Sequence, residues 1–240
     1  MDYMVPDKIP LPRNVLESLV WDREKDVERM KERYPMPRAL LQAKAAEGKY
    51  PKRNFFESFS RGKISGKNKI PVILSATRAS VYNKNSPLSG DVILSTFAQQ
   101  AEELGAVAVG CHVDSSNFRG SFEDLEELKK SGSLPVICDD FILYGYQIFR
   151  AKASGADVIK LMASILTTQE IVYNSKVAKA LGLSVIVVVY SKPQLLDVLD
   201  KVPDIGSSSP QTFFISIIVS IVSININIII IIRLVFFFFF

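Results

Sequence analysis

The sequence predicts an α/β protein of the (βα)8 TIM-barrel type, because short apolar runs alternate with amphipathic helical segments. The apolar runs are continuous rather than alternating with polar residues, which is typical of parallel strands buried on both faces. The helical segments between them end in glycine, the residue that most often ends a helix. A doubly wound sheet is the weaker alternative, since no glycine-rich phosphate loop follows the first run.

The apolar runs give five predicted strands, and a sixth would have to come from the following residues. A complete barrel has eight strands, so we expect an incomplete barrel with about five to six of them. Helical patterns such as "SFEDLEELKKSG" and "TQEIVYNSKVAKALG" connect the runs. The five predicted strands are 70–77, 105–113, 134–138, 156–163 and 183–190.

The chain divides into three segments of different composition. Residues 1–63 are charged, and their apolar residues recur with the period of a helix, which predicts an N-terminal helical extension. Residues 64–210 carry the alternating pattern and form the predicted partial barrel. Residues 211–240 consist almost entirely of Ile, Phe, Val, Ser and Asn.

The C-terminal tail, residues 211–240, is long and apolar enough for a membrane-spanning helix, which needs about 20 apolar residues. It is nevertheless β-branched, contains asparagine and Arg233, and ends in five phenylalanines. Phe, Ile and Asn can all be encoded by A and T alone. We therefore favour translated AT-rich non-coding sequence over a membrane anchor, and expect the tail to be non-native.

Composition excludes several classes of function. The net charge is +4, and basic residues are interleaved with acidic ones, which argues against a nucleic-acid surface. Two cysteines and one histidine support neither a disulfide framework nor an ordinary zinc site, so a reducing, intracellular compartment is expected. The N-terminus has the features of neither a signal peptide nor a transit peptide.

A metal site at the strand ends is a further hypothesis, because several ligand-type side chains follow adjacent strands. Alternate residues of a strand point to opposite faces, however, so the thiols need not share a side with the acids. We therefore predict no metal and no cofactor. The residues considered are Cys111, His112, Asp114, Cys138 and Asp139.

Four motifs together resemble the indole-3-glycerol-phosphate synthase family: "VILSATRASVY", "NFRGSFEDLEEL", "LPVICDDFILYGYQIFRAKASGADVIKLMASIL" and "LGLSVIVVVYSK". The segment "PRNVLESLVWDREKDVERMKERYP" is similar to the plant-type branch, and the resemblance runs from about residue 12 to 204. It implies a (βα)8 barrel with an N-terminal helical segment and a plastid location. It also implies a lyase of tryptophan biosynthesis, which closes the indole ring of a carboxyphenylamino-deoxyribulose phosphate with loss of carbon dioxide and water.

The resemblance fails at the positions that carry the family's catalysis. The family's first-strand pattern Glu-x-Lys-Lys-Ala-Ser is altered here, so Ser75 stands for the glutamate and Thr77 for a catalytic lysine. In the pattern Cys-Lys-Asp-Phe, Asp139 replaces the general-acid lysine. Val188 replaces a glutamate on the fifth strand, and the family's Gly-Ile-Asn-Asn-Arg motif and phosphate-binding loops have no counterpart. No catalytic residue is therefore assigned.

Some substrate-contacting positions of the family are retained. The resemblance implies that Ser80 contacts substrate and that Phe118 and Phe141 line the substrate's ring. Without the motif, these would be a loop hydroxyl and two core residues at strand ends. Lys160 stands where the family has an apolar strand residue. It is either a buried ammonium that faces Asp139 or, in another register, a residue that reaches solvent.

Three functions stay open at this point. The first is a family enzyme that is impaired or inactive in ring closure. The second is a non-catalytic paralogue that binds a partner or a small phosphorylated aromatic ligand. The third is the product of a degraded or mis-assembled gene, since a partial barrel leaves open sheet edges. The sequence predicts no oligomeric state.

Overall fold

The computed structural model describes residues 12–64, 71–79, 92–202, 213–217 and 227–230 of the chain. From the third to the eighth helix, helices and strands alternate, as the sequence predicts. The helices of this part are α1 (Val15–Arg33), α2 (Met36–Lys49), α3 (Phe55–Ile64), α4 (Leu94–Glu103), α5 (Phe122–Ser131), α6 (Gly145–Ala153), α7 (Thr168–Ala180) and α8 (Lys192–Lys201). Its strands are β1 (Val72–Ala76), β2 (Ala108–His112), β3 (Val136–Asp139), β4 (Val158–Met162), β5 (Ser184–Val189), β6 (Phe213–Ile217) and β7 (Asn227–Ile230).

The strands form one sheet in the order β6-β5-β4-β3-β2-β1-β7. Strands β1 to β5 are parallel and adjacent in sequence order, each followed by a helix, which is the arrangement of an incomplete (βα)8 barrel. The fold class predicted from the sequence is therefore confirmed. In the register of β2 and β3, Cys111 lies beside Cys138 and His112 lies beside Asp139.

The two faces of the sheet pack into two separate apolar clusters. The outer cluster lies under the helices and includes Cys111 and Cys138, whose thiols are free and buried. Burial raises the pKa of both thiols. The inner cluster includes Ile137, and α3 contributes Phe55 and Phe59 to it, with their ring centroids 6.0 Å apart. Because successive side chains of a strand point to opposite faces, the two thiols lie on the outer face and not on the inner one.

The N-terminal helices are tied to the barrel by buried polar contacts. In α1, the Arg23 side chain donates a hydrogen bond of 2.5 Å to Asp140, which follows β3. The hydroxyl of Tyr146 in α6 lies 3.0 Å from the Met30 carbonyl and 2.8 Å from the Tyr34 carbonyl. A buried ion pair and a shared hydroxyl therefore fix α1 and its end against the start of α6.

Helix α2 packs against α6 through small side chains. Ala39, Ala43 and Ala46 are buried along one face of α2, at the spacing that places residues on one side of a helix. Alanine allows the two helix backbones to approach closely. Within the predicted extension 1–63, the described residues include α1, α2 and most of α3, which ends at Ile64. Residues 1–11 lie outside the described part.

The C-terminal tail contributes both strands at the sheet edges. Strand β6 pairs in parallel with β5, and β7 pairs antiparallel with β1. Both edges of the five-stranded parallel sheet are thereby hydrogen-bonded to tail residues, although no strand is predicted in the tail from its sequence. Its non-native origin stays a prediction. Among the described helices, none combines the length and the apolarity that crossing a membrane requires.

Candidate functional site

The carboxyl ends of the parallel strands bring four polar side chains together on the inner face of the sheet. The centre is the carboxylate of Asp139, at the end of β3. Lys160 of β4 forms an ion pair with its Oδ1 atom, and the Ser75 hydroxyl of β1 donates a hydrogen bond of 3.0 Å to its Oδ2 atom. The Nε2 atom of His112 lies 3.9 Å from the same oxygen. Of the two orientations considered for Lys160, the structure shows the inward one.

The contact between Ser75 and Asp139 crosses an intervening strand. Strand β2 lies between β1 and β3, and its residue beside Ser75 is Gly110. A Cβ atom at Gly110 would lie 3.2 Å from the Ile137 carbonyl oxygen and 3.4 Å from Ser75 Oγ. Glycine therefore leaves the space through which the serine reaches the carboxylate.

The charges of the cluster fix its protonation state. Burial by itself raises the pKa of the Asp139 carboxyl, but the Lys160 ammonium, aided by the Ser75 hydrogen bond, outweighs burial and holds this pKa well below its usual value. Burial lowers the pKa of His112, although the Asp139 charge acts in the opposite direction. Near neutral pH the cluster therefore holds an ionised carboxylate and a neutral imidazole.

Aromatic rings lie next to this cluster. The His112 imidazole stacks on Phe118, with centroids 4.0 Å apart and planes within 8°. The Phe118 ring is 6.3 Å from that of Phe141, at an angle of 38°. The structure thus brings Phe118 and Phe141 together beside the strand ends, and their centroid distance is typical of aromatic pairs. Their contact with a substrate stays a prediction, and Ser80 lies outside the described residues.

The other two positions of the altered catalytic set have different surroundings. The Thr77 hydroxyl donates a hydrogen bond of 2.9 Å to the Ala79 carbonyl, within its own turn. Val188 is 1% exposed and packs in the inner apolar cluster. The neighbouring cation, Arg78, forms a two-point ion pair with Asp124 at the start of α5. The positive charge of Arg78 is therefore paired with a carboxylate of α5 and does not act beside Thr77.

The adjacent aspartates at the end of β3 serve different partners. Asp139 faces the inner cluster and Lys160, whereas Asp140 accepts hydrogen bonds from Arg23 at 2.5 Å and from Gln147 at 3.1 Å. The two neighbours therefore do not act as a carboxylate pair. The sequence grouped His112 with Asp139 only in the metal-site hypothesis; the register of β2 and β3 sets the two residues side by side.

Cys111 and Cys138 lie in the outer cluster, away from the Asp139 carboxylate on the inner face. The five residues considered for a metal site are thus divided between the two faces of the sheet. Within the described ranges, no three His, Cys, Asp or Glu side chains are grouped closely enough to hold a metal ion.

Comparison with known proteins identifies the family. The family model of indole-3-glycerol phosphate synthase matches residues 16–205. The enzyme of that name from Acaryochloris marina is 32% identical over 205 residues, which cover 83% of this chain and 63% of the relative. The one from Microcystis aeruginosa is 35% identical over 196 residues, covering 80% of this chain and 62% of the relative. The chain thus spans a little under two thirds of the length of these relatives. It belongs to the indole-3-glycerol phosphate synthase family.

Proposed function

We propose that this chain is a member of the family that does not catalyse ring closure at the rate of its relatives. The observation that carries the proposal is the ion pair between Asp139 and Lys160. Asp139 stands at the position where the resemblance implies the family's general-acid lysine. An acid at this position must hold a proton at working pH and release it to the reacting group.

The carboxyl of Asp139 does not meet that requirement. Its pKa lies below its usual value, because the Lys160 ammonium outweighs the effect of burial. A group that is fully ionised near neutral pH has no proton to donate, and loss of a general acid typically costs about 10²–10⁴-fold in rate. The Thr77 hydroxyl, bound to the Ala79 carbonyl, does not replace the second lysine.

The test is an assay of indole ring closure with the full chain and the carboxyphenylamino-deoxyribulose phosphate, in parallel with the relative from Acaryochloris marina. We expect no turnover above the reaction without protein. The variant T77K/D139K/K160L restores the two lysines and removes the ion-pair partner, and should gain measurable activity. D139N/K160M, which removes both charges without restoring either lysine, is the control and should gain none. Turnover by the unaltered chain within tenfold of the relative would contradict the proposal.

The same assay decides whether Lys160 has taken over as the acid. Its ammonium forms an ion pair with Asp139, so within the described part of the chain it is the cation beside the altered position. If the unaltered chain is active and K160M is not, Lys160 is the acid and the proposal fails. If both are inactive, the ion pair has only a structural role.

The aromatic pair favours binding of an aromatic ligand as a second candidate function. Phe118 and Phe141 lie 6.3 Å apart beside the strand ends, and Phe118 is stacked on His112. By family resemblance the ligand is a small phosphorylated aromatic molecule, and a plastid location also rests on that resemblance. Calorimetric titration of the full chain with the ring-closure substrate should give heat that F118A reduces. Absence of heat from the unaltered chain would exclude this function.

A further inference from the structure

A cleft of about 240 Å³ lies on the outer surface, between α2, α5 and α6. It shares no lining residue with the strand-end cluster. Its walls carry the ring of Tyr34, three alanine side chains and four charged side chains. The charged residues are Lys49, Glu123, Glu126 and Arg150.

Arg150 is the unusual member of this group, because its charge is buried without a counter-charge. The residue is 9% exposed, and its guanidinium lies 4.2 Å from the Tyr34 ring centroid and 5.1 Å from that of Phe122. Its Nη1 atom donates one long hydrogen bond of 3.4 Å, to Gln42. Its Nε atom is buried and has no partner. Across the described ranges, no carboxylate comes within 4.0 Å of it.

The buried guanidinium of Arg150 therefore lacks acceptors for several of its N–H groups. Two aromatic rings offer cation–π attraction, but they accept few of its five N–H groups. An anion in the cleft would supply both the missing acceptors and the missing charge. A carboxylate fits the planar fork of arginine in a two-point contact.

The cleft also carries a carboxylate without an ion-pair partner. Glu126 is already bound to Lys49 at 3.1 Å and to Lys130 at 3.3 Å. Glu123 is exposed and takes part in no ion pair within the described residues. The unpaired cation on α6 and the unpaired anion on α5 line the same cleft but do not bind each other.

We propose that this cleft binds a small α-amino acid. The ligand's carboxylate pairs with Arg150, its ammonium pairs with Glu123, and its side chain lies against the alanines of the cleft. The cleft is smaller than the pockets of about 300–1,000 Å³ that hold drug-sized ligands, which suits a molecule of this size. The proposal is independent of the proposed function, because it uses none of the strand-end residues.

The first test compares three probes on the full chain by calorimetry or NMR titration: L-valine, isovalerate and isobutylamine. Isovalerate keeps the carboxylate and the side chain of valine but lacks the amine, and isobutylamine lacks the carboxylate. We expect valine to bind roughly tenfold or more tightly than either, the difference that loss of one charged contact makes. Equal binding of valine and isovalerate, or no binding of valine, would overturn the proposal.

The second test changes the cleft. R150Q should lose valine binding at least about tenfold. R38Q is the matched control: Arg38 is exposed, its guanidinium lies 4.6 Å from the same Tyr34 ring, and it does not line the cleft. R38Q should bind valine like the unaltered chain.

R150Q changes a buried residue, so a misfolded protein would also lose binding. E123Q changes an exposed residue of the same cleft and tests the site without that risk. It should lower the affinity for valine to that for isovalerate and leave the affinity for isovalerate unchanged. Unchanged valine affinity in E123Q would overturn the assignment of the ammonium contact, and with it the amino acid as ligand.

Discussion

Removing Lys160 alone should destabilise the fold more than removing both members of its ion pair with Asp139. K160M leaves the Asp139 carboxylate, whose side chain is 6% exposed, without its cation. Removal of one partner of a buried pair costs about 3–5 kcal/mol. The low end applies here, about 3 kcal/mol, because the Ser75 hydrogen bond remains and His112 is near.

The complementary change should cost less. D139N leaves the Lys160 ammonium unpaired, but this side chain is 12% exposed and its long stem lets the charge move toward water. We expect D139N to lower the free energy of unfolding by about 1.5 kcal/mol. The double variant D139N/K160M buries no charge and keeps an amide oxygen as acceptor for Ser75. We expect it to lower the free energy of unfolding by about 2 kcal/mol. The single changes sum to about 4.5 kcal/mol, which leaves a coupling free energy of about 2.5 kcal/mol.

Urea unfolding of the four proteins at pH 7 measures this coupling. The slope with denaturant should be alike in all four, so that the midpoints report stability. The control pair is K130M and E126Q, which removes an exposed ion pair on α5 and should show coupling below about 1 kcal/mol. Additivity of K160M and D139N within about 0.5 kcal/mol would refute the reasoning.

Two further predictions concern the residues around the same cluster. G120A should lower the free energy of unfolding by about 3 kcal/mol or more, because the new Cβ would lie 1.8 Å from the His112 carbonyl oxygen. The control is G48A, where a new Cβ meets nothing within 4 Å. G48A should be neutral or stabilising in the same urea series. Because the folded pKa of His112 is depressed, its contribution to stability is present above its unfolded pKa of about 6.5 and lost as pH falls. The urea midpoint should therefore fall from pH 7 to pH 5, and fall less in H112F. An equal fall in both proteins would contradict this.

Much of the fold follows from the sequence because buried parallel strands and their helices leave a strong local pattern. The run predicted as 156–163 is β4, Val158–Met162, and the run predicted as 183–190 is β5, Ser184–Val189. Each strand is somewhat shorter than its apolar run, since an apolar run includes the loop residues that cover the strand ends. The tail strands were not predicted, because uniform apolar composition carries no boundary signal.

The candidate site was less predictable, because it depends on strand register. A shift of one residue turns Lys160 from the inner to the outer face, so the sequence left its orientation open. The Ser75 contact with Asp139 needs two strand pairings and the absence of a side chain at Gly110. The stack of His112 on Phe118 depends on the loop after β2, whose path no periodic pattern encodes.

The contact between Arg23 and Asp140 has a consequence for the order in which the chain folds. The two residues are 117 positions apart, and Tyr146, which binds the end of α1, comes later still. At about 5–20 residues per second of synthesis, about 6–23 s pass between the appearance of Arg23 and that of its partner. Throughout this interval α1 lacks the buried carboxylate that pairs with Arg23. The first of the described helices therefore completes its contacts only after strands β1 to β3 have been synthesised.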